Sequence, residues 1–124
     1  MTPVDQSKLY RPDASHRGNC FAAALASLLD VPLWMVPPFE EMRESEWEAR
    51  TQDWLRRCFG VQLVRTWPDD NPVLPEFYIA SGVSPRGVRH SVIYSGGALV
   101  HDPHPSRAGI AEVEWNWHME AVHG

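Results

Sequence analysis

The segment Gly18-Asn19-Cys20-Phe21-Ala22-Ala23-Ala24-Leu25-Ala26-Ser27-Leu28-Leu29 constrains this chain more than any other. Ala and Leu are strong helix formers, and here small or apolar side chains fall on nearly every face of the helix they predict. Such a helix has no polar face to offer water, so other elements must pack around it and make it largely buried. Asn19 is suited to cap it, because its side-chain oxygen can accept from an orphan N–H one turn in. Gly18 lets the incoming loop bend sharply. Cys20 then opens the helix, where roughly half a positive charge from the macrodipole favours a sulfur anion. Most cysteines are merely small hydrophobes, so a chemical role requires a histidine and a group to orient it.

The rest of the composition narrows the setting. A chain of 124 residues, 44% apolar and 22% charged, predicts one domain with its own core. Net charge is -5, and the only basic clusters are Arg56-Arg57 and Arg86 with Arg89. With no basic stripe to neutralise phosphates, nucleic-acid binding is not expected. No apolar run is long enough to span a membrane, and no signal-peptide pattern is present at the start, so no membrane association is expected. Two cysteines far apart, both in predicted helices, do not read as a disulfide framework, and a reducing, cytoplasmic setting is expected. Six Trp and 11 Pro predict an aromatic-lined surface and short, stiff connections.

Residues 1–18 read as an irregular arm, with polar or helix-breaking Gln6, Pro12, Asp13 and Ser15 and only Leu9 and Tyr10 to anchor it. The first helix ends near Asp30, since Val31-Pro32 forces an extended turn. Leu33 to Val36 suit a single helical turn closed by Pro37-Pro38. A second helix is predicted over 39–59, with Phe39, Met42, Trp47, Trp54, Leu55 and Cys58 as its apolar stripe and Gly60 just past its end. Cys58 reads as packing. Beyond Gly60 the pattern turns to strands: 61–67, a central 77–80, 90–94, 98–102 and 111–117. The last alternates Val113, Trp115 and Trp117 against Glu112, Glu114 and Asn116, as a half-buried edge strand does. Helices first and an antiparallel sheet after predict an α+β domain with its helices on one side.

The 90–102 stretch supplies partners for Cys20. A three-residue hairpin loop at Ser95-Gly96-Gly97 would pair Tyr94 with Ala98, Val92 with Val100, and His90 with Asp102. Opposed residues share a face, so the carboxylate would hold the imidazole tautomer. A two-residue loop would slip the register and separate them. With apolar Val92 and Val100 as neighbours on that face, His90 is expected to turn toward the helices. Cys20, His90 and Asp102 would then form a Cys–His–Asp arrangement.

Cys20 opening a buried Ala/Leu helix, His90 starting a strand and Asp102 ending the next resembles the papain-like cysteine peptidase and amidase superfamily. The likeness is to its small members, the bacterial double-glycine leader peptidases and the cysteine/histidine-dependent cell-wall amidases. The pattern Gly-Asn-Cys-Phe-x-Ala…Ala-Ser-Leu-Leu, Ser-Pro-Arg-Gly-x-x-His-Ser-Val and Val-His-Asp-Pro-His-Pro-Ser also resembles short phage and bacterial proteins, over about 20–105. The resemblance implies a papain-like fold and a thiol hydrolase or acyltransferase working through a thioester acyl-enzyme. Cys20 would be nucleophile, His90 base and then acid, and Asp102 orienter, with no cofactor. The substrate implied is a peptide, amide or thioester, with a protein as its natural source. Such enzymes carry an oxyanion-hole Gln five or six residues before the Cys, where this chain has Ala14 and Ser15. Gln6, looped back across 13 residues, or Asn19 would have to serve, beside the N–H of Cys20 itself.

Arg86 or Arg89, in or after the 84–87 loop, could receive a substrate carboxylate, and Trp115 and Trp117 could line a groove or simply fill the core. The rival reading is a papain-like scaffold that binds a protein and performs no catalysis. A metal site from His101, Asp102, His104 and Cys20 is not expected: Pro103 stiffens the link, no second ligand pair exists, and His101 should point away from Asp102. His16, His118 and His123 have no partner that the sequence identifies.

Overall fold

The computed structural model describes residues 1–11 and 18–122. It is an α+β arrangement of two helices, α1 (Cys20–Leu29) and α2 (Trp47–Phe59), and one antiparallel sheet. The five strands are β1 (Val61–Thr66), β2 (Tyr78–Val83), β3 (Arg89–Ser95), β4 (Ala98–His101) and β5 (Glu112–Ala121), in the order β1-β5-β2-β3-β4. The expectations for Pro12, Asp13, Ala14, Ser15, His16 and His123 lie outside the described residues.

As its composition predicts, α1 is the buried centre, with Ala22 to Ser27 all shielded from water. It stops at Asp30, a non-glycine residue at φ 57° whose N–H closes onto the carbonyls of Ala26 and Ser27. Val31-Pro32 then carries the chain into a 3-10 turn at Leu33–Met35. The second helix is shorter than its stripe predicts. Phe39–Glu41 is a separate 3-10 turn, and α2 begins only at Trp47. Gly60 ends it as expected, at φ 66° with its N–H on Arg56 and Leu55. Of the predicted stripe, Leu55 and Phe39 are buried while Cys58 is exposed, so the packing role assigned to Cys58 is wrong.

Both helices pack on one face of the sheet, where Leu25, Leu55, Leu63, Ile79, Ile93 and Trp117 form the main core. A smaller cluster of Tyr78, Ala80 and Val92 covers the other face beneath Leu74 and Ile110. The strand predicted at the edge is interior: β5 lies between β1 and β2 and runs on to Ala121. Period-two alternation reports which face is buried, not how many neighbours a strand has, and Asn116 and His118 are buried as well. A bulge at Ser81/Gly82 draws β5 backbone so close that a Cβ on Gly82 would sit 1.9 Å from the Glu112 carbonyl oxygen.

The described part of the N-terminal arm is irregular, but Leu9 and Tyr10 are exposed and do not hold it. Backbone and polar bonds do, together with Met1 and Val4 packed against the core. Thr2 N–H donates to the Ser27 carbonyl (3.0 Å), Val4 N–H to Ser27 Oγ (3.0 Å) and Gln6 N–H to the Pro103 carbonyl (3.1 Å). This lays the arm from the end of α1 to the end of β4. Among the described residues no helix is long and apolar enough to cross a membrane.

Candidate active site

The β3–β4 hairpin settles how His90 meets Asp102. Its loop is the two-residue turn Gly96-Gly97, both at positive φ (59° and 81°), with Ser95 opposite Ala98 and Tyr94 opposite Leu99. This is the mirror-image turn that glycine pairs favour, and the predicted three-residue loop is therefore wrong. On its own it would set the two side chains on opposite faces. A bulge at Val100 inserts one residue, so that Ile93 lies opposite His101. Carried one residue further, this register sets Asp102 opposite Val92, on the same face as His90 and diagonal to it. The two one-residue shifts add to two, which restores the shared face but leaves the pair diagonal and not directly opposed.

The pair is bonded. His90 Nε2 lies 2.5 Å from Asp102 Oδ1, with the two side chains 4% and 0% exposed. Asp102 also accepts the His104 N–H at Oδ1 (2.9 Å) and the Gly109 N–H at Oδ2 (2.7 Å), so both its oxygens are fixed from the 103–111 loop. Arg107, a non-glycine residue at φ 54°, ties that loop to the arm: its guanidinium donates to the Asp102 carbonyl and to both Asp5 carboxylate oxygens. The route by which His90 becomes buried differs from the expected one. Val92 packs in the smaller cluster away from α1, and Val100 is exposed.

The Cys20 side chain lies within hydrogen-bonding reach of His90 and acts on its charge. With Nε2 on Asp102, the ring's Nδ1 is the atom left for the sulfur. Burial alone would push the imidazole down. Its hydrogen bonds to Asp102 and Cys20, with the charges on both, outweigh burial and raise it to about 9. Burial likewise opposes ionisation of Asp102, but His90, the His104 and Gly109 N–H groups and the imidazolium charge hold it at about 2. The site therefore keeps a carboxylate and an imidazolium together across neutral pH. Cys20 itself is half-buried and free, as α1's first residue.

Asn19 and Gln6 both lie at this end of α1, in roles the sequence did not give them. Asn19 makes no side-chain cap. Its Oδ1 instead accepts the N–H groups of Ser7 (3.0 Å) and Lys8 (2.9 Å), and its Nδ2 donates to Ser7 Oγ (3.0 Å), latching the arm beside Cys20. The arm does loop Gln6 back. Its Nε2 donates to the Lys8 carbonyl (2.8 Å), and a Cβ on Gly18 would come within 3.3 Å of that nitrogen. A Cβ there would also crowd the Tyr10 backbone nitrogen at 3.1 Å and the Lys8 carbonyl at 3.2 Å, so Gly18 eases the close approach of the arm. Gln6 lies between the start of α1 and Pro103, the residue after Asp102.

A cleft of about 290 Å³ opens beside the pair, walled by Asn19 and Phe21, which flank Cys20, and by His90, Trp47, Trp115 and Trp117. The two strand tryptophans hence line a groove, and Trp117 is also core. Arg86 is not part of this wall. It donates to Ser106 Oγ (2.9 Å). Arg89 is in the wall, over the Trp115 ring at 5.4 Å. Sequence reasoning missed Arg65, whose guanidinium stacks 4.3 Å from the Trp117 ring centroid, and also Phe39 and the Gly109 N–H. A basic residue two before the end of a predicted strand was the only available signal for Arg65. Nothing local signals Gly109.

The other described histidines have other partners: His101 Nε2 bonds the Val4 carbonyl (2.9 Å), His104 Nδ1 the Ser106 hydroxyl (2.9 Å) and His118 Nε2 Glu120 (3.1 Å). Among the described residues no group of three or more His, Cys, Asp or Glu stands in a metal-holding arrangement. Comparison of the chain with family models, curated proteins and solved structures returns no significant match.

Proposed function

We propose that the protein is a cysteine-dependent hydrolase of the peptidase or amidase type with a papain-like organisation. The observation that carries this reading is His90 held between Cys20 and Asp102, one partner at each end of the ring. The Cys20 thiolate attacks the carbonyl carbon of an amide, ester or thioester, and the carbonyl electrons move onto oxygen. That oxyanion meets the first-turn N–H groups of α1, which have no partner within the helix, with Gln6 Nε2 as the nearby side-chain donor. Collapse of the adduct breaks the bond to the leaving group, which takes the proton from His90 and leaves a thioester on Cys20. Neutral His90 then draws a proton from water, whose oxygen attacks the thioester and restores the thiolate–imidazolium pair. An acceptor amine or alcohol in place of that water gives acyl transfer. Asp102 keeps the ring oriented throughout.

The test is alkylation of Cys20 and Cys58 by iodoacetamide, followed by mass spectrometry from pH 4 to 9, on the wild type and on His90→Ala. The reading requires half-buried Cys20 to outrun exposed Cys58 at neutral and mildly acidic pH, and to lose that lead without His90. Equal rates, or indifference to His90, overturn it.

A second reading, a papain-like scaffold that binds a protein without catalysis, is favoured by one feature. Trp34 is 82% exposed beside exposed Met35, on a shallow surface that reaches Asn19 and Ala22. Unactivated Cys20 in the same experiment would favour this second reading.

A further inference from the structure

The cleft beside His90 carries information about what the acyl-enzyme would hold. Its apolar wall is Phe21, Ala22, Phe39, Trp47, Trp115 and Trp117. Its polar members are already engaged. Ser81 and Ser91 share a hydrogen bond of 2.9 Å, Glu40 takes the Lys8 ammonium at 2.9 Å, and Arg65 bonds Glu48 at 3.1 Å while stacking on both strand tryptophans. Arg89 faces Glu114 at 3.4 Å and lies over Trp115. Two lining donors have no partner, Arg65 Nε and Trp115 Nε1, but both are sealed from solvent and so from a ligand. What the cleft offers an incoming group is therefore mainly aromatic surface.

We propose that this cleft is a specificity pocket for one bulky apolar group, of benzyl or isobutyl size, carried next to the carbonyl that Cys20 attacks. The inference rests on the reading of Cys20 as nucleophile and names its substrate class: peptides or acyl derivatives with a large hydrophobic side chain at that position. Size supports the commitment. At about 290 Å³ the cleft is at the lower end of ligand pockets and roomy enough for a large side chain, since a cavity of about 150 Å³ holds benzene. Position supports it too, since the wall includes both neighbours of Cys20 and His90 itself. The cation-stacked indoles give that wall a stiff, flat surface.

The probes are iodoacetamide and N-benzyliodoacetamide, in which the Cys20 sulfur displaces iodide and forms a thioether. Second-order rates at Cys20 are divided by those at exposed Cys58, which corrects for reagent reactivity. The N-benzyl reagent should gain about tenfold to a hundredfold at Cys20, the effect of sheltering one phenyl-sized group from water, and its rate should saturate with concentration. Trp115→Ala should remove most of the gain and Trp115→Phe should keep it. Both variants are checked for folding by circular dichroism. If Trp115→Ala does not fold, competition by free benzylacetamide against the wild-type reaction replaces it, and protection of Cys20 is required. Rapid, His90-dependent reaction with iodoacetamide but no N-benzyl preference overturns the pocket and leaves the nucleophile standing. A saturable N-benzyl preference with no His90 dependence supports the pocket and overturns the nucleophile.

Discussion

The two free cysteines sit at opposite ends of two helices, and the difference between them isolates what makes a thiol useful. Cys20 opens α1 at the positive end of the helix dipole, half-buried, bonded to a histidine that a buried carboxylate orients. Cys58 lies in the last turn of α2 at the negative end, exposed, among Arg56, Arg57 and the capping Gly60. The more accessible sulfur is the one without machinery. Exposure alone would rank Cys58 as the more reactive; on the proposed reading the helix dipole and His90 would rank Cys20 first.

The comparison breaks most sharply at His90. An activated aryl ester should acylate Cys20 and leave Cys58 untouched, and His90→Ala should slow that acylation by about 10² to 10⁴, the contribution of a positioned acid–base group. Mass spectrometry of the trapped thioester reads the outcome. Comparable acylation of both sulfurs in the wild type would remove the distinction.

The next effect is on stability and has a definite sign. His90 rises from 6.5 to about 9 in the folded protein, so between those values this side chain holds a proton when folded that it lacks when unfolded. Stability from this group is complete below 6.5 and is lost as pH climbs through about 9, by about 3 kcal/mol. Asp102 acts in the opposite sense, its contribution present above 3.8 and lost as pH falls toward 2. Urea unfolding from pH 6 to pH 9.5 should show the alkaline decline in the wild type, and His90→Gln should flatten it.

Smaller again is the latch beside Cys20. Asn19→Ala removes three side-chain bonds to exposed Ser7 and half-buried Lys8, for a loss of about 1 to 2 kcal/mol. It should also raise proteolysis of the arm near residues 5–10. At the other helix, Gly60→Ala forces a Cβ into the left-handed conformation at φ 66° with open space around it. About 1 kcal/mol is expected, with Cys20 reactivity unchanged, which makes it the control for the α2 end.

How much of this was legible in the sequence differs between the two parts of the site. The α1 side was readable because its information is local. A run of Ala and Leu after Gly-Asn-Cys dictates a helix, its burial and the place of the thiol on it, and Gly60 marks the end of α2 in the same way. The hairpin side was readable only in part. His90 and Asp102 could be named as partners, yet by way of a wrong register, since the turn at Gly96-Gly97 and the bulge at Val100 each shift the pairing by one residue. The turn follows from its glycines. The bulge does not, because it depends on how the chain past His101 must turn to meet the arm.

By itself, then, the sequence determined the α+β order of elements, the buried first helix with Cys20 at its start and the chemical identity of the three side chains. Local propensity, side-chain periodicity and glycine conformational freedom act over a few residues and need no partner. Tertiary structure decided the rest: β5 in the middle of the sheet, Cys58 in solvent, Asn19 as a latch, Gln6 beside Gly18 and Arg107 joining Asp5 to the Asp102 carbonyl. Each of these is a contact between segments far apart in the chain or a burial that such contacts impose. Only the packing of all the elements fixes which distant groups meet.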